Sequence, residues 1–144
     1  MTIRNILVGY DGSESAKAAF DFALDLAQKY GARLRVLAVA RPPEFGTEVE
    51  TEAVIERGRH HFAHVLQPLK TRLAGGPLAE TAFEVAVGHP AEQIVLHAEK
   101  HGVDHIVVGH RGHTLFDRWL IGSVARQVIA HAPCAVTVVR QPAK

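Results

Sequence analysis

The chain has 144 residues, of which 47% are hydrophobic and 22% charged, a length and usage suited to one globular domain with its own core. Sixteen basic residues against fifteen acidic ones leave a formal charge of +1, which argues against a dedicated nucleic-acid binder with its basic face or stripe. The only cysteine, Cys134, excludes an intrachain disulfide and fits a reducing compartment. The start, Met1-Thr2-Ile3-Arg4-Asn5, has no signal-peptide layout, and no apolar run approaches the roughly 18–20 residues that cross a bilayer. The expectation is a cytoplasmic, soluble chain with no nucleic-acid or membrane partner.

Ile3 to Gly9 is an apolar run with a β-branched bias, closed by Tyr10-Asp11-Gly12, and reads as a buried strand and turn. Ser13 is a good helix N-cap, and Glu14 sets negative charge in the first turn. Ala16, Ala19, Phe20, Ala23, Leu24 and Ala27 then trace one apolar helix face that stops at Gly31. Leu34 to Val39 is a second strand, ended by Pro42-Pro43; Glu44 to about Thr51 has no clear period and reads as a mobile loop. Val54, Gly58, Phe62, Val65, Leu69 and Leu73 mark a second long helix ended by Gly75-Gly76, with Pro68 expected to kink or split it. Thr81 to Val87 is a third strand, and His89-Pro90 opens a helix with proline at its first position. Ile94, Val95 and Ala98 form that helix's buried side, and Gly102 ends it. Val103 to Gly109 is a fourth strand, Gly122-Ser123 starts a helix running to about His131, and Cys134 to Val139 is the last strand. Five strands alternating with four helices predict an α/β fold: a parallel sheet with helices on both faces. No linker, repeat or low-complexity segment interrupts the pattern, so residues 1–144 are expected to form a single domain.

In open sheets of this kind, ligands bind beyond the carboxyl ends of the strands, where the strand order reverses. Two turns follow strands that would flank such a point: Gly9-Tyr10-Asp11-Gly12-Ser13 and Gly109-His110-Arg111-Gly112. Nine intervening residues after Gly112 lead to Gly122-Ser123, at a helix start. Gly109, Gly112 and Gly122 would permit positive φ and close approach of a ligand to bare backbone. The first N–H groups of the last helix have no internal partners, and with the positive end of the helix dipole they make a phosphate site. Ser123 adds a hydroxyl. Taken singly, each glycine is ordinary turn punctuation; the joint spacing is what points to a polyphosphate held without a Walker-type lysine.

Gly109-x-x-Gly112, nine residues, then Gly122-Ser123 resembles the ATP-binding signature of the universal stress proteins. The likeness extends to Ile6-Leu7-Val8-Gly9-Tyr10-Asp11-Gly12-Ser13-Glu14, to Gly88-His89-Pro90-Ala91 and to Ala135-Val136-Thr137-Val138-Val139-Arg140. The resemblance implies a Rossmann-like, five-stranded parallel sheet of order 3-2-1-4-5 and a homodimer formed by antiparallel pairing of the last strands, residues 134–140. It implies an ATP-binding regulatory protein of the stress response, acting through nucleotide-dependent conformation or partner binding. Gly9, Tyr10 and Asp11 would line the adenosine, the backbone of Val39 would bond the adenine edge, and Gly109 would lie by the ribose. Gly112, Gly122, Ser123 and the Val124 amide would hold the phosphates. A divalent cation, Mg²⁺ or Mn²⁺, would ride on those phosphates rather than in a protein cage. Four residues depart from the family pattern: Ala125 replaces a hydroxyl residue, His110 and His113 add imidazoles to the loop, and His89 stands where an Asp cap is commoner.

No general base with a route to an attacking water is evident, so no catalytic residue is assigned and turnover, if any, is slow. The alternatives are an ATP-cleaving enzyme of the wider adenine-binding α/β group and an adaptor or dimerisation module with a vestigial site. The first would call for a serine- and glycine-rich loop after strand 1, and Asp11-Gly12-Ser13-Glu14-Ser15 is poor in glycine; a flavodoxin-like redox protein needs a phosphate loop there too. Arg111 and Arg118 flank the glycine loop as either phosphate clamps or solvated charges. Leu115, Phe116, Trp119, Leu120 and Ile121 form an apolar cluster, read either as a lid over the nucleotide or as packing against the sheet or a partner subunit, with packing favoured. His60 and His64, four apart, read as a solvated helix face, His97, His101 and His105 as surface residues, and Cys134 as a buried small residue.

Overall fold

A computed structural model describes residues 2–111 and 121–141. Strand β1 (Asn5–Gly9) leads into helix α1 (Glu14–Tyr30), then β2 (Arg33–Ala40), α2 (Glu48–Leu73), β3 (Ala82–Val87), α3 (Pro90–Lys100), β4 (His105–Gly109), α4 (Ser123–His131) and β5 (Ala135–Val139). The five strands form one parallel sheet of order β3-β2-β1-β4-β5, the order that the resemblance implied. Register is set by pairs such as Val8↔Val36, Leu7↔Ile106, Leu37↔Glu84 and Val107↔Thr137.

Side chains alternate across the sheet and build two cores. Ile6, Val8, Val36, Ala38 and Val107 pack with Ala19, Phe20 and Ala23 of α1 and Leu66 and Leu69 of α2. Leu7, Leu37, Ile106 and Val108 pack on the other face with Ile94 and Ala98 of α3 and Ala125 and Val128 of α4. Each fully buried large side chain, Phe20, Ile6 or Leu37 among them, is worth about 1.5–3 kcal/mol of apolar transfer. Among the described residues no helix is long and apolar enough to cross a membrane.

Helix boundaries follow local chemistry. Ser13 caps α1 by accepting from the Ala16 amide at 3.2 Å, and Gly31 closes it in the left-handed region at φ 63°. The segment read as a loop from Glu44 to Thr51 instead contains the start of α2. Thr47 and Glu50 form a reciprocal capping box, with Thr47 Oγ1 accepting from the Glu50 amide at 3.1 Å and a Glu50 carboxylate oxygen accepting from the Thr47 amide at 2.8 Å. Of the kink or split expected at Pro68, the split does not occur: α2 continues through it to Leu73. Proline removes one backbone bond there at a cost of about 3 kcal/mol. Leu66, Leu69 and Leu73, buried on both sides of it, offset that cost through their seat on the sheet.

Candidate functional site

The carboxyl ends of β1 and β4 lie side by side, and the chain leaves them toward opposite faces: α1 follows β1 onto one layer and α4 follows β4 onto the other. This divergence opens a cleft of about 940 Å³, at the place where open α/β sheets take ligands. Gly9, Tyr10, Asp11, Val39, Gly109, Gly122, Ser123 and Val124 all line it. Gly112, Arg118, His113 and the apolar residues Leu115, Phe116, Trp119 and Leu120 fall outside the described residues.

Backbone forms much of the cleft wall. The Tyr10 amide donates to the Leu37 carbonyl at 2.9 Å, so the Leu37 backbone points toward β1. Two residues on, Val39 points its N–H and C=O the same way, but the β1–β2 pairing has ended at Gly9↔Leu37. Its backbone groups therefore face the cleft beyond the last rung of that ladder. Tyr10 turns its ring away into the α1 core, stacked edge-on against Phe20 with centroids 6.1 Å apart, and burial pushes its hydroxyl pKa up. It offers the cleft main chain rather than a phenol. Asp11 Oδ1 accepts from the Ser13 amide at 2.9 Å, which shapes the turn and fixes the carboxylate at the cleft edge.

On the opposite wall, the His110 amide donates to Val139 O and the Gly122 amide to His110 O, both at 2.8 Å. These bonds moor the start of α4 to the end of β4. His110 is itself buried at 7% exposure, and burial, then Arg140 and Arg111, lower its pKa and keep it neutral at pH 7. The α4 N-terminus lacks the devices seen on α1 and α2: Gly122 makes no side-chain cap bond and no acidic residue occupies the first turn. Its first amides open toward the cleft with the positive end of the helix dipole behind them. Among the described residues, Arg41, Arg111 and Arg126 stand around the same space, against one carboxylate, Asp11. Sequence reasoning had weighed Arg111 and missed the other two. Arg126 was legible, since it lies three residues past Ser123 and so on the same helical face; Arg41 simply follows β2 out of the sheet.

Two expectations need correction. Positive φ is not why Gly109 and Gly122 are glycines: neither adopts it, and Gly122 sits at φ −63°, ψ 152°. A Cβ on Gly109 would lie 2.7 Å from the Ser15 carbonyl carbon and 2.8 Å from Ser15 Cβ, so that glycine is required by the approach of α1 to β4. The turn residue that does need left-handed backbone is Gly12, at φ 83°. The second correction concerns the histidines. His60 is exposed, as expected, and lies 3.2 Å from Glu56. His97, however, is only 19% exposed and lies 3.4 Å from Glu84, and His105 is half-buried with Nε2 at 2.6 Å from Thr137 Oγ1. Cys134 is half-buried beside the α3–α4 core, and burial raises its thiol pKa.

Residues 2–140 match the model of the universal stress protein family. A putative universal stress protein of Staphylococcus haemolyticus is 34% identical over 145 residues, covering 97% of this chain and 86% of its own. The solved universal stress protein UspA from Lactobacillus plantarum is 30% identical with a TM-score of 0.86, covering 97% of this chain and 99% of that one. A universal stress protein solved in complex with cAMP shares the fold at 23% identity and a TM-score of 0.73, covering 99% and 100%. By the family match across nearly its whole length, this chain belongs to the universal stress protein family.

Proposed function

We propose that this protein binds ATP in the cleft between β1 and β4 and acts as a regulatory protein rather than as an efficient enzyme. The observation that carries the reading is the bare N-terminus of α4, uncapped and without an acidic first turn, opening onto a cleft of ligand size. The phosphates sit at the Ser123 and Val124 amides, as anions do at helix N-termini, beside Gly122, whose own amide donates to His110 O; the glycine spacing assigns Gly112 to the same group. Arg111 and Arg126 supply charge-assisted bonds. The adenine edge meets the Val39 backbone, which no β1 residue pairs, and Asp11 meets the ribose hydroxyls beside Gly9, Tyr10 and Gly109. That a related protein of the same fold was solved with cAMP supports an adenine nucleotide as the ligand class. Mg²⁺ or Mn²⁺ accompanies the phosphates; with one carboxylate among the described cleft residues, the donor chemistry suits a cation held by the nucleotide.

Regulation works through the dimer or a partner. β5 is an edge strand, and antiparallel pairing of residues 134–140 with a second copy would cover that edge. Nucleotide occupancy acts on this assembly, or on a partner surface, from a cytoplasmic single domain. The test is calorimetric titration of nucleotide-stripped protein with ATP and Mg²⁺, repeated with Gly122→Val. Because Gly122 has an ordinary extended backbone, valine adds bulk without φ strain. Micromolar binding lost in the variant supports the reading. Absence of binding by the wild type refutes it and favours the adaptor alternative, and steady phosphate release above the no-protein control would favour the ATP-cleaving one.

A further inference from the structure

Outside the cleft, β3 and α3 bring together Glu84, His97 and His101, one ligand atom from each lying within 4.8 Å of the others. We propose that these three residues bind a divalent transition-metal ion of the zinc class, tying edge strand β3 to the last turn of α3. The site is independent of the nucleotide reading, since none of the three residues lines the cleft.

The hydrogen bonding around His97 demands a positive species in the gap. Its Nδ1 lies 2.9 Å from the Gln93 carbonyl oxygen; a carbonyl only accepts, so Nδ1 carries the hydrogen. In the neutral ring, that leaves the Nε2 lone pair pointing at Glu84 Oε2, 3.4 Å away. Two acceptors face each other and repel unless a proton or a cation lies between them. The separation suits a metal: ligand bonds of about 2.0–2.1 Å in a tetrahedral site set neighbouring donor atoms about 3.3 Å apart. The bond to Gln93 is the outer partner that metal-binding histidines characteristically have, because it fixes ring and tautomer.

The other two ligands are similarly prepared. Arg35 Nη1 holds Glu84 Oε1 at 2.8 Å, which orients the carboxylate and leaves Oε2 directed at His97. His101 follows His97 by one helical turn, with ring centroids 5.8 Å apart and planes tilted by 39°, the i, i+4 geometry by which helices chelate metals. All three side chains are half-buried, so an ion reaches them from solvent and water completes the coordination. Two imidazoles and one carboxylate favour Zn²⁺, Co²⁺, Ni²⁺ or Cu²⁺ over Mg²⁺ or Ca²⁺, which prefer all-oxygen shells. The Arg35 charge beside Glu84 opposes the ion, so micromolar rather than nanomolar affinity is expected.

The full chain, freed of metal and nucleotide, would be titrated with Zn²⁺ by calorimetry and with Co²⁺ by its visible d–d absorption. The His60→Ala/His64→Ala double variant controls for the exposed pair on α2. The expected result is one equivalent bound at micromolar Kd and a Zn²⁺-dependent rise in Tm, both kept in the control. His97→Ala, His101→Ala and Glu84→Gln should each weaken binding at least tenfold, with the circular dichroism spectrum intact. Glu84→Gln, at the sheet edge, decides the matter should either histidine variant fail to fold. Absence of saturable binding, binding that survives His97→Ala or Glu84→Gln, or binding that vanishes in the α2 control would each overturn the proposal.

Discussion

Replacing Gly122 with Asp should move stability and nucleotide binding in opposite directions. Gly122 occupies the N-cap of α4 at φ −63°, ψ 152°, the extended geometry that Asp prefers when its side chain accepts from the second or third helical amide. A carboxylate there also meets the positive end of the helix dipole, worth about 0.3–1 kcal/mol at an exposed helix end. With a few tenths of a kcal/mol from the capping bond, stability should rise by about 0.5–1.5 kcal/mol, or roughly 1–6 °C in Tm for a chain of this size. In the ATP reading the same carboxylate occupies the amides that hold the phosphates and repels what would replace it. Two unit charges 4 Å apart interact by about 4 kcal/mol at an effective dielectric of 20; allowing half of that for screening in an open cleft still predicts about a 30-fold loss of affinity. Thermal melts and ATP calorimetry on the same preparation read both quantities. Unchanged ATP affinity would refute the assignment of the phosphates to α4, and a fall in Tm would refute the capping geometry.

Gly109→Ala should destabilise by about 2–3 kcal/mol, as overpacking does, because its Cβ would strike the Ser15 main chain at 2.7–2.9 Å; a wild-type denaturation midpoint would contradict that account. Pro68→Ala should stabilise by about 1–3 kcal/mol, since it restores an N–H to the interior of α2 and removes a ring clash; urea titration measures the gain, and a loss would show that the ring packs favourably. Burial holds His105 below its ordinary pKa, with Asp104 opposing in part, and burial does the same for His110. Both are neutral in the native state, so below pH about 6.5 the unfolded chain takes protons the folded one refuses. Stability should therefore be full above pH about 6.5 and decline as pH falls, less steeply in His105→Gln; a Tm that is flat or rising from pH 7 to 5 would exclude this. Asp11→Ala should weaken ATP binding about tenfold or more, through loss of a charged hydrogen bond, while the fold persists; unchanged affinity would remove Asp11 from the ribose.

The alternation of apolar strands and capped helices was legible because each element carries its own signal. Ile6-Leu7-Val8 and Ile106-Val107-Val108 are buried on both faces and read as unbroken apolar runs, while Ser13 and Gly31 mark the ends of α1. Strand order came from the family resemblance, since periodicity does not say which strand lies beside which. The start of α2 was hidden for a different reason. Thr47 and Glu50 spell a capping box, but the first turns are polar and exposed, and no apolar period begins until Val54. The opposing error came at Pro68, where local propensity predicts a break and tertiary burial of Leu66, Leu69 and Leu73 overrides it. His97 showed a related limit. Its partner Glu84 lies on the strand before the helix, and only the seating of α3 on the sheet brings the two within 3.4 Å.

The contrast among helix N-termini explains why the cleft could be anticipated although some of its side chains, Arg41 and Arg126 among them, were not. Proteins cap helices where nothing else satisfies the first amides: Ser13 does so on α1 and Thr47 on α2. α3 has no side-chain cap but carries Glu92 in its first turn and proline at its first position, which leaves fewer orphan donors and answers the dipole. α4 alone among the four has neither a cap bond nor an acidic first turn, and of the two helices that begin at the sheet's switch point, α1 and α4, only α1 is capped. Capping is locally favourable and available by a single substitution, so its omission there is a local rule broken where a ligand would supply the missing acceptor. The same logic separates the two glycines of the wall. Gly109 answers to the packing of α1, so a change in binding there would carry the disturbance of the fold with it. Gly122, at φ −63°, is not held to glycine by its backbone angle, so a change in binding there reports on the ligand when the Tm is read beside it.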